Sequence, residues 1–382
     1  MTKPETISDL AEALRRPASH SRTICLEGSG SKRLMAGPGG EADESVCTTG
    51  LNRVLEYEPH DLTISVEAGL PWRELTSLLA GNRQMVPLDP PFASFATVGG
   101  VIGANCSGPR RLLYGTARDM VIGMTFVTVE GKVVKSGGMV VKNVAGLDMA
   151  KLMIGSFGTL AAMAVVNFKV VPAPEVERSF LLPFETLAGA IGARDRIVNG
   201  VLQPAALDLM NPAAGAAMGN RTWLLAVRAA GNGAAVERYE RELASLAPGA
   251  AYDGESHTSL WQYLQKLTPA FLGQHQNGAV VRVSCTLKEV QPVMESFPGP
   301  AVARAGSGVC YGYFERTEAA TTWLAGAIQR GYKAVLEFCP EEWKRDVELW
   351  PAPSGDIEIM RRIKKLFDPE NLLNRGRLYR RI

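Results

Sequence analysis

Leu88-Asp-Pro-Pro91, Ala96-Thr-Val-Gly-Gly100, Asn105-Cys-Ser-Gly-Pro-Arg-Arg111, Tyr114-Gly-Thr-Ala-Arg-Asp119 and Gly155-Ser-Phe-Gly-Thr-Leu160 are the stretches on which the fold turns. Glycine weakens the interiors of helices and strands, so clusters of it mark tight turns or places where the backbone touches something. Repeated within one region, they read as a surface for a ligand that is long, thin and partly anionic. A dinucleotide fits that description. Upstream, Gly28-Ser-Gly-Ser-Lys32 follows the short β-type run Thr23-Ile-Cys-Leu26. It offers successive backbone N–H groups, two hydroxyls and one ammonium. Such N–H groups can form an anion-binding nest, and the same letters also suit a plain turn. After Thr97-Val-Gly-Gly100, residues 101–105 can begin a helix, and a helix N-terminus aimed at a pyrophosphate is favoured by its unpaired N–H groups and its dipole. Taken alone, this segment also suits a tight turn packed against a sheet.

Three other glycine motifs are excluded. Gly28 and Gly30 are followed by Arg33 where a Rossmann fingerprint needs its third glycine, and 37–42 leads into acidic sequence. No Gly-Lys-Ser/Thr or Gly-x-Ser-x-Gly is present, which removes a P-loop and a hydrolase nucleophile elbow. With 382 residues, 46% of them hydrophobic, the chain has room for two domains and an ample core. A net charge of +2, with basic residues concentrated only at Arg375 to Arg381, gives no nucleic-acid stripe. The six cysteines never fall in Cys-x-x-Cys spacing, so no metal or iron–sulfur site is expected. The longest apolar run, 152–166, is too short for a membrane helix and is broken by Gly155 and Gly158. No membrane span is expected, and the start lacks a signal-peptide pattern. The expected location is cytoplasmic, with peripheral attachment at the inner membrane through a complex.

The coarse pattern is α+β. Residues 63–67 read as a strand, and Pro71 as the first position of a helix carrying Leu75, Leu78 and Leu79. Residues 121–129 and 132–135 flank Glu130-Gly131 as a hairpin, and 161–171 reads as a long strand. Pro172-Ala-Pro174 is the expected boundary, giving domains over 1–174 and 175–340 and a helical segment over 341–382. Beyond the boundary, strands are expected at 223–228, 280–286 and 308–314, with helices near 234–246 and 317–329. Ile357, Met360, Ile363, Leu366 and Phe367 form one helical stripe that stops at Asp368-Pro369.

The ordered set Gly28-Ser-Gly-Ser, Ala96-Thr-Val-Gly-Gly, Ser107-Gly-Pro-Arg-Arg, Tyr114-Gly, Arg118-Asp119, Lys142-Asn-Val-Ala-Gly and Gly155-Ser-Phe-Gly-Thr-Leu resembles the FAD-binding domain of the vanillyl-alcohol-oxidase, or PCMH-type, flavoproteins. Pro87-Leu-Asp-Pro-Pro and Lys-Asn-Val-Ala-Gly narrow the resemblance to the E subunits of bacterial glycolate oxidases. It covers about residues 20–172 and returns at Phe367-Asp-Pro-Glu-Asn-Leu-Leu-Asn-Arg-Gly-Arg-Leu378.

The resemblance implies a PCMH-type FAD-binding domain of two α+β subdomains, a smaller α+β cap domain and C-terminal helices. Gly28, Ser29, Gly30, Ser31 and Lys32, with Thr97, Val98, Gly99 and Gly100, would then bind the pyrophosphate. Asn105, Gly108, Tyr114 and Gly115 would line the ribityl and flavin region, Gly155, Ser156 and Gly158 a last loop, and the Met163 backbone would face adenine. Relatives with covalent flavin carry His or Cys at a linking position, which the 28–31 loop lacks, so FAD is expected to be non-covalent. Leu147 stands where the family pattern has tyrosine, and Arg375 where it has proline. Arg110, Arg111 and Arg118 are candidates for a substrate carboxylate or for phosphate; salt bridges are the other reading. Lys142 is a candidate for stabilising reduced flavin, or a plain exposed lysine.

For function, the resemblance implies an FAD-binding oxidoreductase subunit of a glycolate (D-2-hydroxy acid) oxidase complex, passing hydride from the α-carbon to flavin and electrons to an iron–sulfur subunit beside a second flavoprotein subunit. Related subunits carry a His-x-Gly-Asp-Gly-Asn-x-His run, where this chain has Arg304-Ala-Gly-Ser-Gly-Val-Cys-Tyr311, and the four histidines lie elsewhere. No catalytic base is therefore assigned, and an auxiliary FAD-holding subunit without its own substrate oxidation is the alternative.

Overall fold

The computed structural model describes residues 1–39, 42–140, 147–351, 355–379 and 382. Lys142 and the rest of its motif lie outside the described residues. An antiparallel five-stranded sheet organises the N-terminal half, in the order Val54–Glu58, Thr63–Glu67, Ala162–Lys169, Val121–Val127 and Val133–Gly137. Every residue of Thr63–Glu67 is buried. The expected hairpin forms, with Val127 opposite Val133 and Gly131 at φ +79° in its turn.

Two helix starts differ from expectation. Pro71 stands one residue ahead of the helix Trp72–Gly81, as its cap, with ψ at 131°. The second helix spans Val98–Gly103, three residues earlier than expected. Its start is set by Thr97, whose hydroxyl accepts from the Gly100 N–H at 3.2 Å, so Gly99 and Gly100 lie inside the helix. The long apolar run 161–171 divides into Ala162–Lys169 and the short Val171–Pro172, which pairs with Gln84–Met85.

An antiparallel eight-stranded sheet follows, in the order Ala250–Tyr252, Val176–Phe184, Trp223–Gly231, Ala206–Met210, Ala301–Arg304, Val309–Phe314, Ala279–Ser284 and Lys333–Phe338. Side chains alternate between its faces. Leu182, Leu207, Leu225, Val227 and Val281 pack under the helices Leu187–Val198, Gly233–Ala244, Val290–Ser296 and Thr317–Gln329. Leu181, Met210, Leu224, Val280 and Val302 face the other way, into the core shared with the helix Gly254–Gln274 and the N-terminal half. Burying each such Leu or Val contributes about 1.5–3 kcal/mol. The sequence pattern found three of these strands. It missed Ala206–Met210, which is buried along its whole length and shows no alternation. The strand Val176–Phe184 begins two residues past the expected boundary at Pro172-Ala-Pro174.

The helix Asp356–Phe367 ends as expected before Asp368-Pro369. The buried Asp368 carboxylate accepts from the Leu372 and Leu373 N–H groups at 2.9 and 2.7 Å and from Lys364 Nζ at 2.6 Å. Ile24 N–H then donates to Leu372 O at 2.9 Å, and Asn374 N–H to Ile24 O at 3.0 Å. The C-terminal segment is thereby laid along the first strand, Ile24–Glu27.

Candidate cofactor and substrate site

Two adjoining cavities share Ala104 and Phe157 in their walls. The first, of about 630 Å³, is bounded by Gly28, Ser29, Gly30, Ser31 and Lys32, by Thr97, Gly99 and Gly100, and by Gly158 and Met163. That size is ordinary for a cofactor pocket. Ile24–Glu27 runs parallel to Glu44–Cys47 and delivers the 28–32 loop at its end. The loop meets the 97–100 turn at one point, where a Cβ on Gly28 would stand 2.3 Å from Thr97 Oγ1. Only glycine permits that contact. Asn374 closes the far side: its Nδ2 donates to Leu26 O and Phe157 O at 2.9 and 2.7 Å, and its Oδ1 accepts from Leu26 N–H at 2.7 Å.

The two glycine segments differ in what they offer. The Val98 N–H donates to Leu70 O at 2.9 Å, Gly99 N–H to Ala68 O at 2.6 Å, and Gly100 N–H to Thr97. These amides are therefore engaged, and the 97–100 turn supplies close approach without the free N–H donors expected of it. Val98 itself is fully buried in the core. By contrast, among the described residues the amides of Ser29, Gly30, Ser31 and Lys32 have no protein acceptor. Gly30 takes φ +72°, which opens the loop into a nest. Lys32 is 8% exposed, and its Nζ reaches only Ser31 Oγ, at 3.1 Å. Burial lowers its pKa, and no carboxylate lies within ion-pair distance among the described residues. Open amides beside an unpaired buried ammonium fit the diphosphate of a dinucleotide. The one thiol in this wall, Cys25, has its pKa raised by burial, which disfavours a covalent thiolate link.

The second cavity, of about 360 Å³, lies between the two halves. Asn105, Gly155 and Arg111 reach it from the N-terminal side; Arg282, Arg304, Tyr311, Tyr313 and Glu337 reach it from the eight-stranded sheet. The hairpin of Ala301–Arg304 and Val309–Phe314 thus sets the 304–311 run over it. Arg282 Nε pairs with Glu337 Oε1 at 2.8 Å, and Arg304 Nη1 binds the fully buried Asp208. Burial pushes the Asp208 carboxyl up to about 6, with Arg304 pulling against it. Tyr313 donates to or accepts from Thr268 Oγ1 at 3.1 Å, and burial raises its phenol to about 12. Burial raises Tyr311 further, against the opposing charges of Arg304, Arg282 and Arg111. Both phenols are thus held neutral, as donors. Arg111 has only Ser107 Oγ, at 3.5 Å, and no carboxylate partner among the described residues.

Other expectations are corrected. Arg110 is bound to Asp89 at 2.8 Å and lies 3.5 Å from Glu177, which Arg228 holds at 2.7 Å. Burial pushes Glu177 up, but His257, Arg228 and Arg110 hold it well below the usual carboxylate range. Arg110 is a structural cation here, not one open to substrate. Arg118 donates to Lys151 O at 3.0 Å and faces neither cavity. Gly108 is required by packing, since a Cβ there would stand 2.2 Å from Asp89 O. Gly115, at φ +82°, packs against Asp119, and Ser156 Oγ is bonded to Met153 O at 2.8 Å. Neither these residues nor the half-buried Tyr114 is in either wall. Sequence reasoning gave no role to Arg282, Asp208 or Glu337, which stand on separate strands and form no local motif.

Residues 1–137 match the family described as FAD binding domain, and residues 352–378 match the C-terminal domain of FAD linked oxidases. The glycolate oxidase subunit GlcE of Escherichia coli (strain K12) is 34% identical over 172 residues, which are 44% of this chain and 48% of that protein. The glycolate oxidase subunit GlcD of Bacillus subtilis (strain 168) is 29% identical over 208 residues, 54% of this chain and 44% of that protein. A D-lactate dehydrogenase of Anaerostipes hadrus is 34% identical over 165 residues, 43% of this chain and 34% of that protein. The matches thus span half or less of the length of these curated relatives. Among solved structures, an alkyldihydroxyacetonephosphate synthase superposes with TM-score 0.75 at 18% identity, over 98% of this chain and 76% of the other. The 4-ethylphenol oxidase from Gulosibacter chungangensis gives 0.75 at 14% identity, over 99% and 88%. These two likenesses establish the fold. Residues 1–137 thus carry an FAD binding domain and residues 352–378 the C-terminal domain of FAD linked oxidases, on the fold that these two structures share, and the cofactor is FAD.

Proposed function

We propose that this chain is an FAD-dependent oxidoreductase subunit that oxidises a small 2-hydroxy acid, glycolate or D-lactate in kind, within a glycolate-oxidase-like complex. The observation that carries this reading is Arg111: a guanidinium without a carboxylate partner among the described residues, in a cavity that adjoins the cofactor cavity at Ala104 and Phe157. Bound non-covalently across the two cavities, FAD would supply a two-electron acceptor for hydride from the α-carbon. The 28–32 amides and Lys32 would hold its diphosphate, and Asn105 and Gly155 would border its ring end. Arg111 would bind the substrate carboxylate, and Tyr311 and Tyr313 would donate hydrogen bonds. The helix Gly254–Gln274 and the eight-stranded sheet would exclude water. The division into 1–174, 175–340 and 341–382 is proposed on the same basis, with substrate held between the first two.

The proposed partners are a second flavoprotein subunit and an iron–sulfur subunit, a reading that rests on the likeness to glycolate oxidase subunits. No described helix is long and apolar enough to cross a membrane. We place the complex in the cytoplasm, with any membrane attachment supplied by a partner.

The positions of the histidines favour a second reading, an auxiliary FAD-holding subunit for electron transfer or assembly. His20 and His60 are exposed, His257 is bound to Ser179 at 2.7 Å, the His275 ring lies tilted 4.5 Å from that of Phe271, and none of the four lines either cavity. Anaerobic mixing of the FAD-loaded chain with glycolate or D-lactate separates the two. Flavin bleaching on a catalytic timescale supports the first reading, and unchanged flavin absorbance supports the second.

A further inference from the structure

Two cations of the first cavity come from opposite ends of the chain. Lys32 belongs to the glycine loop, and Arg377 to the segment that follows Asn374. The Arg377 Nη1 donates to Gly37 O at 2.9 Å and its Nη2 to Lys32 O at 3.3 Å, while its guanidinium lies 5.7 Å from the Phe157 ring centroid. All of its acceptors are carbonyls. No described carboxylate pairs with Arg377 or Lys32, and the acids in the same wall are engaged: Glu27 with Arg33 at 2.8 Å, Glu341 with Lys344 at 2.9 Å. Burial lowers the pKa of both Lys32 and Arg377. A buried cation without a counter-ion is destabilising. The buried Lys32 and the half-buried Arg377 in one cavity, beside open amides, call for a ligand with two negative charges.

We propose that Arg377 and Lys32 together neutralise the diphosphate of the cofactor, so that FAD binding and the docking of residues 368–378 are one event. This rests on the FAD reading above and adds a clasp from the far end of the chain. Without the dianion the segment is held by its Asp368 and Asn374 hydrogen bonds. With it, Arg377 is drawn into the cavity and pulls the same segment against Ile24–Glu27.

The test compares FAD affinity, by flavin fluorescence, in the full chain and in Arg377→Met, Arg377→Lys and Lys32→Met. Arg377→Met and Lys32→Met should each weaken FAD about ten- to a hundredfold, and Arg377→Lys less, as expected for losing hydrogen bonds to a charged group. In parallel, trypsin cleavage after the exposed Arg375 should slow on adding FAD in the wild type and not in Arg377→Met. FAD affinity within about twofold of wild type in Arg377→Met overturns the proposal, as does FAD-independent cleavage at Arg375. If Arg377→Met does not fold, unchanged affinity in Lys32→Met overturns it equally. A wild-type chain that takes up no FAD removes the cofactor reading itself, a separate result.

Discussion

The first cavity is built from backbone and the second from side chains. Around the first, glycines admit close approach, and among the described residues the amides at 29–32 stand open and Lys32 and Arg377 lack carboxylates. Around the second, Arg282 and Arg304 are matched by Glu337 and Asp208, and Arg111 has no such partner among the described residues. A wall of amides and glycine suits a long ligand held by its phosphates, whatever its ring end does. A wall of paired ions with one guanidinium left over suits a small monoanion. On the proposed reading, the first cavity holds the cofactor and the second sets what reaches it.

The largest effect that could break this contrast is at Gly100. A Cβ there meets only Thr97 Oγ1, at 3.2 Å, whereas at Gly99 it meets Ala68 backbone and side chain at 3.0 Å. Gly100→Val should therefore fold and lose FAD, read by flavin content after desalting. Adding Gly99→Val should also lower the melting temperature. Normal flavin content in the folded single variant would move the diphosphate away from this turn.

Next is the cluster joining the two halves. Glu177→Gln strands Arg228, while Arg110 keeps its bond to Asp89, and should cost about 3 kcal/mol in chemical denaturation, the penalty for breaking a largely buried ion pair from one side. A loss close to zero would show that the Arg228–Glu177 pair adds nothing to the joint between the halves.

Asp208 gives a pH test. Its folded pKa lies above its unfolded value, so the folded state binds the extra proton, and stability from this group falls as pH rises from about 4 to about 6. Asp208→Asn should remove that decline, on the order of 3 kcal/mol. Parallel melting-temperature profiles for the variant and wild type across this window would contradict the burial argument. Glu177 has the opposite sign: its depressed pKa stabilises above its unfolded value and is lost on acidification.

The smallest effect concerns the leftover guanidinium. Arg111→Met should weaken binding of a small carboxylate about tenfold or more while leaving stability and FAD content unchanged. Arg110→Met should do the reverse. Equal effects of the two on carboxylate binding would erase the distinction between structural and binding arginine.

The sequence made some of this legible and hid the rest for physical reasons. The hairpin at Glu130-Gly131, the helix stop at Asp368-Pro369 and the 28–32 loop were readable because local backbone chemistry sets them. The free N–H groups expected at 97–100 are engaged, and the ones that stand open are those at 29–32. No local pattern shows that Ala68 and Leu70 carbonyls will occupy the helix-start amides. Ala206–Met210 escaped because a strand buried on both faces has no period. Arg282, Asp208, Arg304 and Glu337 escaped because their pairing exists only once four strands lie side by side. Arg377 falls in the basic residues 375–381, which carry no local motif, and only its contact with Gly37 and Lys32 places it at the first cavity.

The most direct test of the cofactor claim is a visible-spectrum titration of the purified, flavin-free chain with FAD, followed by acid precipitation. The account predicts uptake of one FAD per chain and release of all the flavin into the acid supernatant. No uptake of FAD, or flavin retained on the denatured protein, would contradict it.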